Sequence, residues 1–230
     1  MRVVGVDGCP GGWLAVAYDD AARTITPAVH LSFAELLAAY PDVERIGVDI
    51  PIGLAEGERR RADLEARKVL GPRQSSVFPA PDPRIVTAPT YAAASQRSRS
   101  MTGGGVSQQA FAIFPKVLEV NWCLTPAQQG RVFEVHPEVC FWALGGRPMA
   151  HAKATADGFE ERRALLSEAL GVAIPERRAA GALAKPAAAD DVLDALVAAW
   201  SARRDALGQS GRLPKEPQID GRGLRMEIVY

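Results

Sequence analysis

The first 50 residues contain four apolar segments whose connections restrict the fold. Arg2 to Asp7, Trp13 to Tyr18 and Thr24 to His30 read as strands, and only the turn sequences GCPGG and DDAAR separate them. Such short joints predict an antiparallel meander. A helix signal follows in SFAELLAAY, with Ser32 and Glu35 at capping-box spacing. The fourth segment, RIGVDI, therefore follows a helix, and we expect it to lie parallel beside the first strand.

The rest of the chain adds a fifth strand and a long helix. RVFEVH reads as the strand, and AADDVLDALVAAWSARRDALG carries an apolar stripe at helical spacing. GLRMEIVY reads as a closing strand. The expected fold is α/β, with a mixed five-stranded sheet flanked by helices. We expect one domain over residues 1–230.

Residues 56–115 break the pattern after the fourth strand. The region contains a charged helical segment, a proline-rich segment and then ASQRSRSMTGGGVSQQ, which we expect to be a mobile loop. It has too few apolar residues for a core of its own, so we interpret it as an insertion or lid within the domain.

Charge and cysteine content limit the functional classes. Lys plus Arg and Asp plus Glu both number 27, so no overall basic field attracts nucleic acid, and any such contact must be weak and local. The three cysteines have no metal-type spacing, which fits a reducing cytosol. No segment is apolar over about 18 residues, and no signal peptide is recognisable, so we expect a cytoplasmic protein without membrane contact.

The triplet Gly-Val-Asp ends two of the strands. Asp7 follows the first copy and Asp49 the second, so parallel neighbouring strands would bring both carboxylates to one sheet edge. Two like charges at that distance call for a proton or a cation, and a divalent metal is the usual solution. The alternative is that each Asp only caps a turn.

Further acids occur in RVFEVHPE and in the late helix. Glu134 and His136 would point to the same side of a strand, although an edge strand with one solvated face is the better explanation when this motif is taken alone. Asp191 and Asp194 lie three residues apart on the helix, with Asp190 at the expected N-cap, and an acidic first turn is common. Together these acids form an oxygen-ligand set suited to Mg²⁺ or Mn²⁺.

A basic run lies in the insertion. A solvated helix face explains it better than phosphate binding, although phosphate binding remains an alternative. Its members are Arg59, Arg60, Arg61, Arg67, Lys68 and Arg73.

The order of strands and acids resembles the RNase H-like superfamily, which includes ribonucleases H, Holliday-junction resolvases and integrases. Within it, GVDGCPGGW, DIPIGL, RKVLGPRQSSVF, EVHPE and DDVLDAL are similar to the signature of a family of uncharacterised, predicted RNase H-like nucleases. The resemblance covers nearly the whole chain, with Pro10 and Ala62 as departures outside the acidic positions. It implies metal ligands at Asp7, Asp49, Asp191 and Asp194, and Glu134 as an additional ligand.

The chemistry so implied is two-metal hydrolysis of phosphodiester bonds by Mg²⁺ or Mn²⁺, with His136 either assisting proton transfer or simply buried and hydrogen-bonded. DNA, RNA and small phosphoesters stay open as substrates, as does the oligomeric state. Two alternatives remain. A sugar or acetate kinase-like ATPase shares the core topology, and DGCPGG could be its phosphate loop, but that fold needs two such domains. A non-catalytic binding module on the same fold is the other.

Overall fold

A central five-stranded sheet organises the protein, which is described here from a computed structural model of residues 1–230. The strand order is β3-β2-β1-β4-β5, with the first three strands antiparallel and β1, β4 and β5 parallel. This topology confirms the predicted fold class and is consistent with an RNase H-like fold. The strands of this sheet are β1 (Arg2–Cys9), β2 (Gly12–Asp19), β3 (Thr24–His30), β4 (Arg45–Val48) and β5 (Val132–Glu134).

Helices and one hairpin surround this sheet. The hairpin strands β6 (Arg212–Ile219) and β7 (Arg225–Val229) pair antiparallel in a second sheet, and β7 confirms the predicted closing strand. Two short 3₁₀ helices span Gly71–Ser76 and Pro126–Gly130. The α-helices are α1 (Phe33–Ala39), α2 (Arg61–Leu70), α3 (Pro83–Val86), α4 (Tyr91–Thr102), α5 (Gln108–Ala112), α6 (Phe114–Cys123), α7 (Pro137–Gly145), α8 (Ala156–Leu170), α9 (Arg177–Leu183) and α10 (Ala189–Ala206).

Apolar side chains cover both faces of the five-stranded sheet. Val3, Leu14 and Val16 belong to a core that also contains the buried faces of α7, α8 and α10. Val4 and Trp13 belong to a second core on the opposite face, with α1 and α6. The alternation along β1 explains this division, since successive residues of a strand point to opposite faces.

The insertion after β4 is more helical than the sequence predicts. ASQRSRSMTGGGVSQQ is not one mobile loop, because α4 covers its first half and ends at Gly103, which has φ +77°. Thr90 caps α4, and Ala94 is buried in the second core. Between β5 and α10 lie three helices that the sequence patterns do not predict, α7, α8 and α9. No helix of the structure is long and apolar enough to cross a membrane.

The sequence GCPGG forms the turn between β1 and β2. Cys9 pairs with Gly12, and Pro10 precedes Gly11, whose φ is +76°. Pro followed by a left-handed Gly is the preferred sequence of a type II turn. A Cβ on Gly12 would lie 2.1 Å from the carbonyl oxygen of His30, so this glycine allows the backbone after β3 to pass close by.

Candidate functional site

The two Gly-Val-Asp triplets lie side by side. Gly5 pairs with Gly47 and Val6 with Val48 in the parallel register of β1 and β4. The next residues continue this register, since the Asp49 amide donates to the Val6 carbonyl at 2.9 Å. The carboxylates of Asp7 and Asp49 therefore meet at one edge of the sheet, as predicted.

The glycines of the triplets admit the long helix α10. A Cβ on Gly5 would lie 1.8 Å from the carbonyl oxygen of Ala195, and a Cβ on Gly47 would lie 2.8 Å from that of Ala198. Only a bare backbone leaves room for this approach. The facing residues of α10 are small and fully buried, and the close contact brings Asp194 to the edge where Asp7 and Asp49 lie.

These three carboxylates, called the triad below, form one compact group. One oxygen from each of Asp7, Asp49 and Asp194 lies within 4.8 Å of the other two. Asp7 is 9% exposed and Asp194 only 2%. The Asp7 carboxylate has no hydrogen-bond partner within the protein, so neither of its oxygens is used in a turn cap or an ion pair.

Burial and mutual repulsion make it unfavourable for all three carboxyl groups of the triad to be ionised without a cation. Burial, followed by repulsion from Asp49 and Asp194, raises the pKa of Asp7 well above its usual range. Burial also raises the pKa of Asp49 to about 8 and that of Asp194 to about 6, the latter in spite of a nearby lysine. A bound cation would reverse the balance, because it favours the ionised form of each carboxyl group.

Lys153 supplies one positive charge at the triad. Its Nζ lies 2.7 Å from Oδ2 of Asp194, and the side chain is about half exposed. Partial burial lowers the pKa of this ammonium group, but attraction to Asp194, Asp7 and Asp49 outweighs burial and raises it. One lysine cannot neutralise three ionised carboxylates, so full ionisation of the triad calls for a further cation.

Glu134 does not join the triad, because Arg60 binds the Glu134 carboxylate. The Arg60 guanidinium donates to Oε1 at 2.5 Å and to Oε2 at 2.9 Å, and the Ile52 amide donates to Oε2 at 2.7 Å. Arg60 also pairs with Asp63. The expectation of a basic surface run is therefore wrong for Arg60, which is 1% exposed and stabilises buried carboxylates.

His136 lies at the N-terminal end of α7, beside the triad's cleft. Its Nε2 is 3.3 Å from the carbonyl oxygen of Ser76, and its Nδ1 is buried with no partner. Burial lowers the pKa of the imidazole, so it is neutral near pH 7. This environment supports the buried, hydrogen-bonded interpretation over proton transfer, since Nδ1 is closed to solvent.

Only one of the three acids near the start of α10 reaches the triad. Asp191 accepts the Ala188 amide at 2.8 Å and so caps its own helix. Asp190 is partly exposed and stands outside the group. Asp194 lies about one turn further along, on the face that packs against β1 and β4.

The triad lines a cleft of about 530 Å³. Three other acids in its wall are Asp63, Glu134 and Glu138, and each is paired with a buried arginine, either Arg60 or Arg162. The triad is therefore the only set of cleft carboxylates without an arginine partner. The wall also contains Arg73, Lys116 and apolar side chains from the insertion.

Most of the chain matches a protein-family model. Residues 5–219 match the family model described as "Protein of unknown function (DUF429)". The chain belongs to this DUF429 family. All three triad residues and Lys153 lie within the matched region. A search of curated proteins finds no match to the chain.

The other residues of the predicted basic run in this DUF429 protein divide between the exposed surface and internal contacts. Arg59, Arg61 and Lys68 are exposed. Arg67 donates to the Val77 carbonyl at 2.9 Å, and Arg73 turns toward the cleft.

The sequence patterns do not point to Lys153 as a neighbour of the triad. They also do not place Arg73, Val77 and Phe78 in the wall of the cleft. Lys153 lies outside helices and strands, in a stretch with no periodicity that would point to the triad. Only the path of the chain between α7 and α8 brings it there.

Proposed function

We propose that this protein is a metal-dependent hydrolase of phosphodiester bonds, with Asp7, Asp49 and Asp194 as ligands of a Mg²⁺ or Mn²⁺ ion. The observation that supports this most is Asp7. Its carboxylate is nine-tenths buried, faces two further carboxylates and has no partner in the protein. Burying an unpaired charge is costly, whereas a coordinated cation removes that cost.

The donor set fits a hard cation. All three triad ligands are carboxylate oxygens, which Mg²⁺ and Mn²⁺ prefer, and no cysteine or histidine belongs to the group. When bound, such a cation polarises phosphoryl oxygens and lowers the pKa of a coordinated water.

The chain's own residues would orient the ion and the substrate. The triad is held rigidly, because two of its members are fixed by paired strands and the third by a closely packed helix. Lys153 places a positive charge beside Asp194, where it can stabilise negative charge that develops on a transferred phosphoryl group.

The proposed chemistry uses two metal ions. The triad offers ligands for one ion, while Glu134 and Asp191 are engaged by Arg60 and by the helix cap. A second ion would therefore take most of its ligands from the substrate phosphate and from water, as Mg²⁺ does in many phosphoryl-transfer sites.

No observation favours the kinase-like alternative. The glycines of DGCPGG serve the β1–β2 turn and the close approach of the backbone at His30. Lys116 also lies over this turn, with Nζ donating to the Gly12 carbonyl and 4.4 Å from the centre of the Trp13 ring. These contacts account for the glycines of the turn without a bound phosphate.

Hydrolysis assays test the proposal. Purified protein with Mg²⁺ or Mn²⁺ should cleave bis(p-nitrophenyl) phosphate or a nucleic acid from a panel of single-stranded, duplex, hybrid and branched substrates, and EDTA should abolish the activity. Asp7→Asn and Asp49→Asn should lower kcat by about a hundredfold or more. Asp190→Asn, on the same helix as Asp194 but outside the triad, should keep it.

Two other results would favour the alternative functions. Metal-dependent ATP turnover without phosphodiester hydrolysis would favour the kinase-like activity. Absence of turnover on every substrate, in protein that is folded, would favour the binding module.

A further inference from the structure

The cleft at the triad is small, and its wall contains both charged and apolar side chains. Its volume of about 530 Å³ lies in the range of small-molecule sites, roughly 300–1,000 Å³. The acidic triad and Lys153 occupy one part of its lining, while Val77, Phe78 and Ile113 contribute apolar surface. A site of this size and composition fits a compact ligand that is both anionic and apolar.

Arg73 gives the cleft an anion-binding group. Its Nε donates to the Met149 carbonyl at 3.0 Å, which orients the guanidinium group. Neither terminal nitrogen has a partner in the protein, although the side chain belongs to the cleft lining. Two free N–H donor nitrogens on an oriented guanidinium match the oxygens of a phosphate group.

Phe78 gives the cleft an aromatic surface. It is 46% exposed and lines the cleft, whereas Val77 beside it is buried. Exposed aromatic rings in nucleic-acid sites stack on bases, which contributes about 1–3 kcal/mol per base.

We infer that the substrate is a single nucleotide-sized phosphoester, either a free nucleotide ester or the terminal nucleotide of a single strand. Its phosphate faces the triad and Arg73, and its base lies against Phe78. This inference rests on the proposed phosphodiesterase function and narrows its substrate class.

The same geometry disfavours an internal site in a double helix. Duplex DNA is stiff, with a persistence length of about 50 nm, and it carries its phosphates on the outside of a wide rod. The triad carboxylates are largely buried in the wall of the cleft, and Asp194 is only 2% exposed. The zero net charge also gives no overall basic field that would hold a polynucleotide.

Substrates with and without ends test the inference. With Mn²⁺, the protein should release mononucleotides from a linear single strand and hydrolyse the p-nitrophenyl ester of thymidine monophosphate. A circular single strand and a closed circular duplex should remain intact. Hydrolysis of the nucleotide ester alone assigns the free nucleotide as the source of the ligand, and release from the strand as well assigns the strand end.

Comparable cleavage of the circular substrates would overturn the inference and leave the proposed function standing. Hydrolysis of none of the substrates would overturn both.

Phe78→Ala tests the base contact. It should raise KM for the thymidine ester by roughly 5- to 100-fold, with little change in kcat and little change for methyl p-nitrophenyl phosphate, which has no base. Trp122→Ala removes an aromatic side chain that is 68% exposed and lies outside the cleft, and it serves as the matched control. Equal effects of Phe78→Ala on both esters would overturn the base contact.

Discussion

Arg60 holds two carboxylates in the interior of the protein. It is 1% exposed, pairs with Glu134 and Asp63, and donates to the carbonyls of Ile52 and Gly53. Through these contacts one side chain ties the start of α2 to β5 and to the backbone that follows Asp49. A buried ion pair of this kind adds little net stability itself, but removing one partner leaves uncompensated charge.

Replacing Arg60 should therefore destabilise the protein strongly. Arg60→Met keeps most of the aliphatic volume but leaves Glu134 and Asp63 without their cation, so the free energy of unfolding should fall by about 3–5 kcal/mol. Urea unfolding followed by circular dichroism measures this change. Arg59→Met, at an exposed neighbouring position, should shift it by no more than about 0.5 kcal/mol. Similar stabilities for the two variants would contradict the structural role of Arg60.

At the scale of helices and strands, the position of the triad depends on the contact of α10 with β1 and β4. Gly5 and Gly47 are opposite each other, and the α10 backbone lies directly over them. Because of this contact, the repeated Gly-Val-Asp triplet has two structural roles. Its Asp supplies the carboxylate, and its Gly lets the helix approach closely enough to add Asp194.

A methyl group at Gly5 should disturb both stability and the triad. Its Cβ would lie 1.8 Å from Ala195 O and 2.3 Å from Ala199 N, so α10 must move outward. Gly5→Ala should cost about 1–3 kcal/mol or more of unfolding free energy and should weaken Mn²⁺ binding. Gly130→Ala is the control, because a Cβ there has nothing within 4 Å. Normal Mn²⁺ binding by a folded Gly5→Ala protein would contradict this account of the contact.

At the scale of the whole molecule, the sequence predicts the sheet well and the surroundings of the cleft poorly. The strand order follows from local signals, since short turns force the meander and a helix allows the crossover to β4. Asp7 and Asp49 follow from the same logic, because parallel register alone brings them together.

The surroundings of the cleft depend on contacts between residues that are distant in the sequence. Nothing near Glu134 in the chain shows that Arg60, 74 residues earlier, occupies its carboxylate. The helix α4 was also unpredictable from its polar sequence. Its cap at Thr90 and the burial of Ala94 stabilise it, and the burial of Ala94 exists only once the second core has formed.

The insertion reaches the cleft mainly through the residues that follow α2. No residue of 94–109 lines the cleft, whereas Arg73, Ser76, Val77 and Phe78 do. These residues follow α2, which Arg60 anchors to the sheet. Whether residues 56–115 move as a lid stays a prediction.

Metal binding by the triad is the central claim, and melting curves with EDTA and with Mn²⁺ test it most directly. A Mn²⁺ concentration one hundredfold above the dissociation constant should add about 2.7 kcal/mol to the wild type and raise its Tm by several degrees. Asp7→Asn should be at least as stable as the wild type in EDTA, because without metal the folded wild type must either bury the Asp7 charge among other carboxylates or take up a proton there. Asp7→Asn and Asp49→Asn should lose most of the Mn²⁺ shift, and Asp190→Asn should keep it. An equal Mn²⁺ response in all four proteins would contradict the shared metal site.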